Sequence, residues 1–136
     1  MFHLEDDFTF NRDVHLEALA NVLDWNPRVV QLALRRQPLG HETAAGGFLH
    51  HDPAAYEQLN HGTLAWIEHR RFFTTNPSLY RRQLLVDHEW PAGDQSEGAF
   101  TARLLEDPET RFGYWGSAGS GEWVHHIGDE RKGHGY

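Results

Sequence analysis

The chain has 136 residues, 39% of them apolar and 12% aromatic, with a formal charge of −8 and no cysteine. That length holds one sizeable core but not two ordinary ones, and the missing cysteine excludes disulfides, thiolate zinc sites and cysteine nucleophiles. The acidic start Met1–Asp7 is unlike a signal peptide and no run approaches the roughly 18 apolar residues of a membrane span, so the sequence predicts a single cytoplasmic domain over 1–136 with no membrane contact.

Residues 1–12 read as an irregular or extended lead-in, with Phe2, Phe8 and Phe10 available to pack. Residues 14–23 and 27–36 read as two helices, because Leu16, Leu19, Ala20 and Leu23 share one helical face and Val30, Ala33 and Leu34 share another. Asp24-Trp25 makes the turn between them, Asn26 is a good cap and Pro27 fits a first helical position. Residues 37–52 read as a loop or short hairpin. Asp52-Pro53 opens a longer helix over about 53–73, with Tyr56, Leu59, Thr63, Trp66, Ile67 and Phe73 on one stripe and Glu57, His61 and Glu68 opposite. Thr75-Asn76-Pro77 opens a helix over about 77–89, and residues 98–106 fit a helix or a strand equally. The aromatic and β-branched runs Arg111–Trp115 and Glu122–Ile127 predict a hairpin over about 111–127, with Ser117 and Ser120 at its Gly-rich tip. The tail from Asp129 reads as frayed. The expected fold class is α+β: mainly helical in the N-terminal two-thirds, with a C-terminal β-hairpin.

The spacing of Leu19-Ala20, Leu23, Trp25, Val30, Ala33 and Leu34 resembles the helix-turn-helix of Cro- and LacI-like repressors, within residues 16–36 of a segment spanning 13–37. Asp24 stands where that family usually has Gly. The resemblance implies that the second helix reads DNA. Its outer positions include Asn26, Arg28, Gln31 and Arg35, side-chain types that pair with base edges in the major groove. Arg36, Arg70 and Arg71 then serve as phosphate contacts, and the C-terminal half as the surface of a possible homodimer.

Eleven histidines raise a metal reading. Glu57 and His61 stand one helical turn apart on the expected helix, and His50 and His51 precede them, a set that would suit a metal-dependent hydrolase. His41-Glu42-Thr43 and His61-Gly62-Thr63 match the His-x-Thr element of two-histidine phosphoesterases, but the second lies inside that expected helix. No closed ligand motif, P-loop or nucleophile elbow is present, so neither a cofactor nor a catalytic residue is assigned. Three functions compete: a small DNA-binding transcriptional regulator, an acidic module without catalytic activity that binds a basic protein partner (an antitoxin, immunity factor or phage-type inhibitor), and the metal-dependent hydrolase. Most of the negative charge lies in residues 1–68, where four Arg face ten acids. A basic partner suits that imbalance.

Overall fold

The computed structural model describes residues 1–35, 49 and 52–130. β1 (Phe2–His3), β3 (Val29–Ala33), β4 (Tyr56–His61), β5 (Leu64–His69), β6 (Ser78–Tyr80) and β7 (Arg111–Trp115) form a mixed sheet in the order β1-β6-β3-β7-β5-β4. β2 (Phe8–Phe10) and β8 (Val124–His126) form a separate antiparallel ribbon. The helices among the described residues are α1 (Leu16–Trp25), α2 (Arg82–Asp87) and α3 (Ser96–Leu104), and none is long and apolar enough to cross a membrane.

The central pair, β3 and β7, runs parallel, and their neighbours run antiparallel. Both faces of this pair are covered. On one face Leu32, Leu34 and Trp115 pack with Leu19, Val22 and Leu23 of α1. On the other, Phe112 packs with Phe73, Phe100 and Leu104, while Ala33 and Tyr114 meet Ile67. Each fully buried Leu, Val or Phe contributes about 1.5–3 kcal/mol, so α1 and α3 are held mainly by this burial. Gly113 lies directly beside Leu32: a Cβ there would stand 2.6 Å from Leu32 Cδ2. Any side chain there would force the buried Leu32 to shift and would crowd the Gln31 carbonyl at 3.2 Å.

The structure corrects the helix-dominated reading. The expected helix 27–36 is the strand β3, so no helix-turn-helix exists and the resemblance to Cro- and LacI-like repressors falls. A strand buried on both faces loses its period-two alternation and becomes a nearly continuous apolar run, which the eye fits equally well to a helix. Asn26 ends α1 instead of starting a second helix: its backbone N–H and its Nδ2 donate to Val22 O, at 3.1 and 3.0 Å. The expected helix 53–73 is the hairpin β4–β5, turned by Gly62-Thr63, with Gly62 at φ +59°. A two-residue hairpin turn of this hand needs positive φ, which Gly supplies. Leu59 and Trp66, placed on one helical stripe by the sequence, are cross-strand partners.

The segment 77–89 divides into β6 and α2 rather than forming one helix. The expected hairpin over 111–127 does not form. β7 enters the centre of the sheet between β3 and β5, and β8 pairs with β2. Turn chemistry is local, whereas strand partners are chosen by burial of both β7 faces. Residues 98–106 resolve as α3, the helix 14–23 appears as α1, and the extended lead-in holds β1 and β2. The loop 37–52 falls largely outside the described residues, as does the tail beyond 130.

One polar side chain ties the sheet to the segment that follows β5. Gln31 is 1% exposed; its Nε2 donates to Thr74 O at 2.5 Å and to Ser78 Oγ at 2.9 Å, and its Oε1 accepts Thr74 N–H at 3.1 Å. Gln31→Leu keeps the volume but leaves both backbone groups of Thr74 unpaired, so a loss of about 2–4 kcal/mol is expected. Urea unfolding of the two proteins measures it, and a loss under about 1 kcal/mol would show that water replaces the amide.

Candidate functional site

The residues singled out for DNA do not form one surface. Arg28 ion-pairs with the buried Glu68 at 2.9 Å, Gln31 is interior, and Arg35 is buried with its guanidinium 5.6 Å from the Phe8 ring centre. Arg70 donates to the carbonyls of Leu105, Asp107, Pro108 and Thr110, and Arg71 pairs with Asp52. Arg36, His50 and His51 lie outside the described residues. Glu57 and His61 sit on β4, where four residues span roughly 13 Å, too far for a shared ion. His61 packs on Trp25, with ring centres 4.5 Å apart. Among the described residues no group of three or more His, Asp or Glu side chains is arranged to hold a metal ion.

Several cavities bounded by described residues carry polar groups. The first, of about 260 Å³, is bounded by Tyr56, Glu57, Glu68, His69, Arg70 and Arg111. Several of its charges are already engaged. Glu68 Oε1 accepts Trp66 Nε1–H at 2.8 Å and Oε2 meets Arg28, while Arg111 donates to Pro108 O and Thr110 O at 2.9 and 3.0 Å. His69 is buried among rings, with Tyr114 at 4.7 Å, Tyr56 at 5.2 Å and Phe72 at 5.3 Å between centres. Its Nδ1 accepts Arg71 N–H at 3.2 Å, so the neutral ring carries its proton on Nε2. Burial pulls the His69 pKa down to about 3.

The second cavity, of about 160 Å³, is bounded by His3, Phe73, Thr75, Tyr80, Leu85 and Trp90. Its wall is an aromatic stack. Phe73 meets Tyr80, Trp90 and Phe100 edge-on, with centres 5.7, 5.9 and 5.0 Å away, and Trp90 leans on Phe100 at 4.8 Å. Trp90 stays 38% exposed, so it presents an apolar surface to whatever enters. Thr75 links this wall to a carboxylate: its N–H and Oγ1–H both donate to Glu97 Oε1, at 2.5 Å each. Glu97 stands in the first turn of α3, where the helix dipole favours negative charge.

The loop between β1 and β2 supplies the remaining groups. Burial raises the Glu5 pKa above the usual carboxylate value; the charges of Asp7 and Glu97 raise it further, and those of His3 and His126 oppose them. Asp7 is fixed against the ribbon, with Oδ2 2.8 Å from His126 Nε2 and its carbonyl accepting Ile127 N–H at 2.8 Å. His126 stacks on Phe8 at 4.7 Å. A Cβ at Gly128 would stand 2.8 Å from the His126 ring, so glycine leaves the space this pair uses. Sequence reading placed none of Glu5, Asp7, Glu97, Trp90 or His126 in a site. The one local signal was the acidic run Glu5-Asp6-Asp7, read only as evidence against a signal peptide.

Comparison with protein-family models, with curated proteins and with solved structures finds no match for the chain. Its chemistry is therefore read from these side chains alone.

His69 gives the fold an acid limit. Its proton is bound far more weakly in the folded state than at the ordinary value of 6.5, so its contribution to stability is complete above pH 6.5. As the pH falls from 6.5 towards 3 the unfolded chain gains a proton that the folded chain refuses, costing up to about 4–5 kcal/mol. His69→Phe is expected to flatten this part of the stability-against-pH curve. Unfolding midpoints from pH 7 to 4 measure it, and an unchanged slope would show that His69 is hydrated.

Proposed function

We propose that this protein binds a small, hydroxylated, ring-bearing molecule in the Trp90 cleft and performs acid–base chemistry on it with Glu97 and Glu5. The observation that carries this reading is an exposed aromatic platform at a cleft whose Thr75 holds one carboxylate, Glu97, with a second carboxyl, Glu5, near enough to feel the charges of Glu97 and His3. Glu97 is oriented by two hydrogen bonds from Thr75, while Glu5 is driven towards its protonated form by burial. Two titratable groups whose surroundings differ in this way suit the roles of base and acid. A half-open apolar cavity with a few convergent polar groups is the common form of a small-molecule site. Trp90 supplies dispersion contact to a ring face, and the carboxyl groups suit hydroxyls at its edge.

A second reading, a module that binds a protein partner, rests on a different surface. Phe2, Phe10, Val14 and Leu16 line a groove of about 260 Å³ with Arg12 and Asp13, and Phe10 and Leu16 are exposed. Apolar side chains rimmed by charge are a common interface pattern, and the net charge of −8 favours a basic partner. Leu16→Arg separates the readings: it would abolish capture of a basic partner and leave the Trp90 cleft untouched.

For the cleft, the test is a ligand screen of cyclohexanediols, inositols and methyl pyranosides, followed through the Trp90 indole N–H signal. Binders are expected to lose about tenfold or more in affinity, measured by calorimetry, in Trp90→Ala and in Glu97→Gln, with circular dichroism unchanged. A screen in which the Trp90 signal never responds would sink the proposal.

A further inference from the structure

The two edges of the six-stranded sheet are unlike. β1, at one edge, is two residues long, whereas β4, at the other, pairs with β5 over six residues with no shift of register. Short strands, bulges, lysines and prolines commonly keep an edge from pairing with another chain, and β4 has none of them. The direction of its backbone groups follows from the hairpin. Gly62-Thr63 is a two-residue turn, so His61 and Leu64 form a hydrogen-bonded pair and bonding alternates from there. Leu59 and Glu57 therefore bond towards β5, while the N–H and C=O groups of Asn60, Gln58 and Tyr56 point outwards. Ala65 O accepts Gly116 N–H at 2.9 Å on the far side of β5, as this alternation requires. Among the described residues no strand meets the outer edge of β4, and Glu57, Gln58, Asn60 and His61 are exposed.

We infer that β4 is a self-pairing edge: two copies of this chain join antiparallel along it, about a two-fold axis at Leu59, to form one continuous sheet. The sequence of the strand itself selects a second copy as the partner. In an antiparallel two-fold pair the outward-bonding residues must meet one another, so the registers that pair most of the strand are centred on Gln58, Leu59 or Asn60. Centring on Leu59 lets Gln58 and Asn60 exchange backbone hydrogen bonds with Asn60 and Gln58 of the second copy, and it brings the two Leu59 side chains together. Each Glu57 then stands opposite His61 of the second copy, a carboxylate facing an imidazole N–H that can donate to it. Within its own chain Glu57 faces Glu68 across the hairpin, a like-charged pair that such a donor relieves. Centring on Gln58 would set Glu57 against Leu59, and centring on Asn60 would set it against the turn. No residue of β4 lines the Trp90 cleft, so this interface and that site stand or fall separately.

Analytical ultracentrifugation of the full chain should show a monomer–dimer equilibrium between about 10 µM and 1 mM, the range of a small interface. Asn60→Pro removes an outward N–H without touching the β4–β5 ladder, and should weaken the dimer at least about tenfold. Glu57→His and His61→Glu each set like groups opposite one another and should weaken it about fivefold or more. Combined, they restore the pairing with its sides exchanged and should recover the original constant to within about twofold. Because the chain has no cysteine, Leu59→Cys supplies a single thiol. Directly opposed Cα atoms stand about 4.5–5.5 Å apart, so oxidised Leu59→Cys should run as a covalent dimer. Glu57→Cys should not, because its two thiols lie about 13 Å apart along the strands. A chain that stays monomeric up to about 1 mM overturns the inference. So does a dimer that Asn60→Pro leaves unchanged, or one that Leu59→Cys does not link, since association then uses another surface or register. Should Asn60→Pro fail to fold, the exchange of Glu57 and His61 decides, and no recovery in the double variant overturns it.

Discussion

The structure depends on β3 being buried on both faces, with Gln31 as the one polar side chain that this burial must satisfy. Val29, Leu32 and Ala33 are 0–2% exposed, and the amide of Gln31 among them closes three hydrogen bonds. Two of these reach the backbone of Thr74, on the segment between β5 and β6. The next residue, Thr75, holds Glu97, and Phe73 on the other side anchors the aromatic wall of the cleft. Phe73 N–H also donates to Thr101 Oγ1 of α3 at 2.9 Å, so the same segment positions the helix that carries Glu97. A single amide in the core thus sets the place of groups at the surface.

The molecule has two polar regions with different tasks. Around β5, Glu68 and His69 face opposite sides of one strand, and both are enclosed. Trp66 and Arg28 answer the charge of Glu68, while the rings about His69 keep it neutral. Arg70 and Arg111 spend their donors on carbonyls of the loop before β7, which secures the entry of that strand into the sheet. Most of these groups are engaged, although the Tyr56 hydroxyl at the same cavity is buried without a hydrogen-bond partner. At the other end, Glu5 is partly buried among like charges, Trp90 is exposed and His3 Nε2 is unpaired. The exposed apolar face of Trp90 is a cost that a bound molecule can offset.

Parallel pairing of β3 with β7 explains why distant parts of the chain share one site. A parallel pair requires a long crossover, and here the described residues of the crossover between 33 and 111 include the β4–β5 hairpin, β6, α2 and α3. The cleft draws on β1, the segment after β5, β6, α2 and the Trp90 that follows it, and the Asp7–His126 contact joins residues separated by 119 positions. Charge and ring contacts over such separations form only after the sheet has assembled.

Local chemistry was legible in the residues themselves. The amphipathic α1 and the extended lead-in follow from periodicity and from backbone preferences that act within a few positions, whereas the turn at Gly62 lay hidden inside the expected helix 53–73. The acidic bias and the absence of a long apolar helix were equally plain. Tertiary structure decided the rest. Val29–Ala33 is apolar whether it is a helix or a strand, and only the arrival of β6 and β7 on its two sides makes it a strand. Arg111–Trp115 has the composition of a hairpin arm, yet burial on both faces is better served at the centre of the sheet. The functional reading moved with these choices. Arg28, Gln31 and Arg35 cannot form an exposed row when alternate residues of a buried strand point to opposite cores. His3, Glu5, Trp90 and Glu97 come together because the strand order places their segments side by side, a relation that no spacing along the chain encodes.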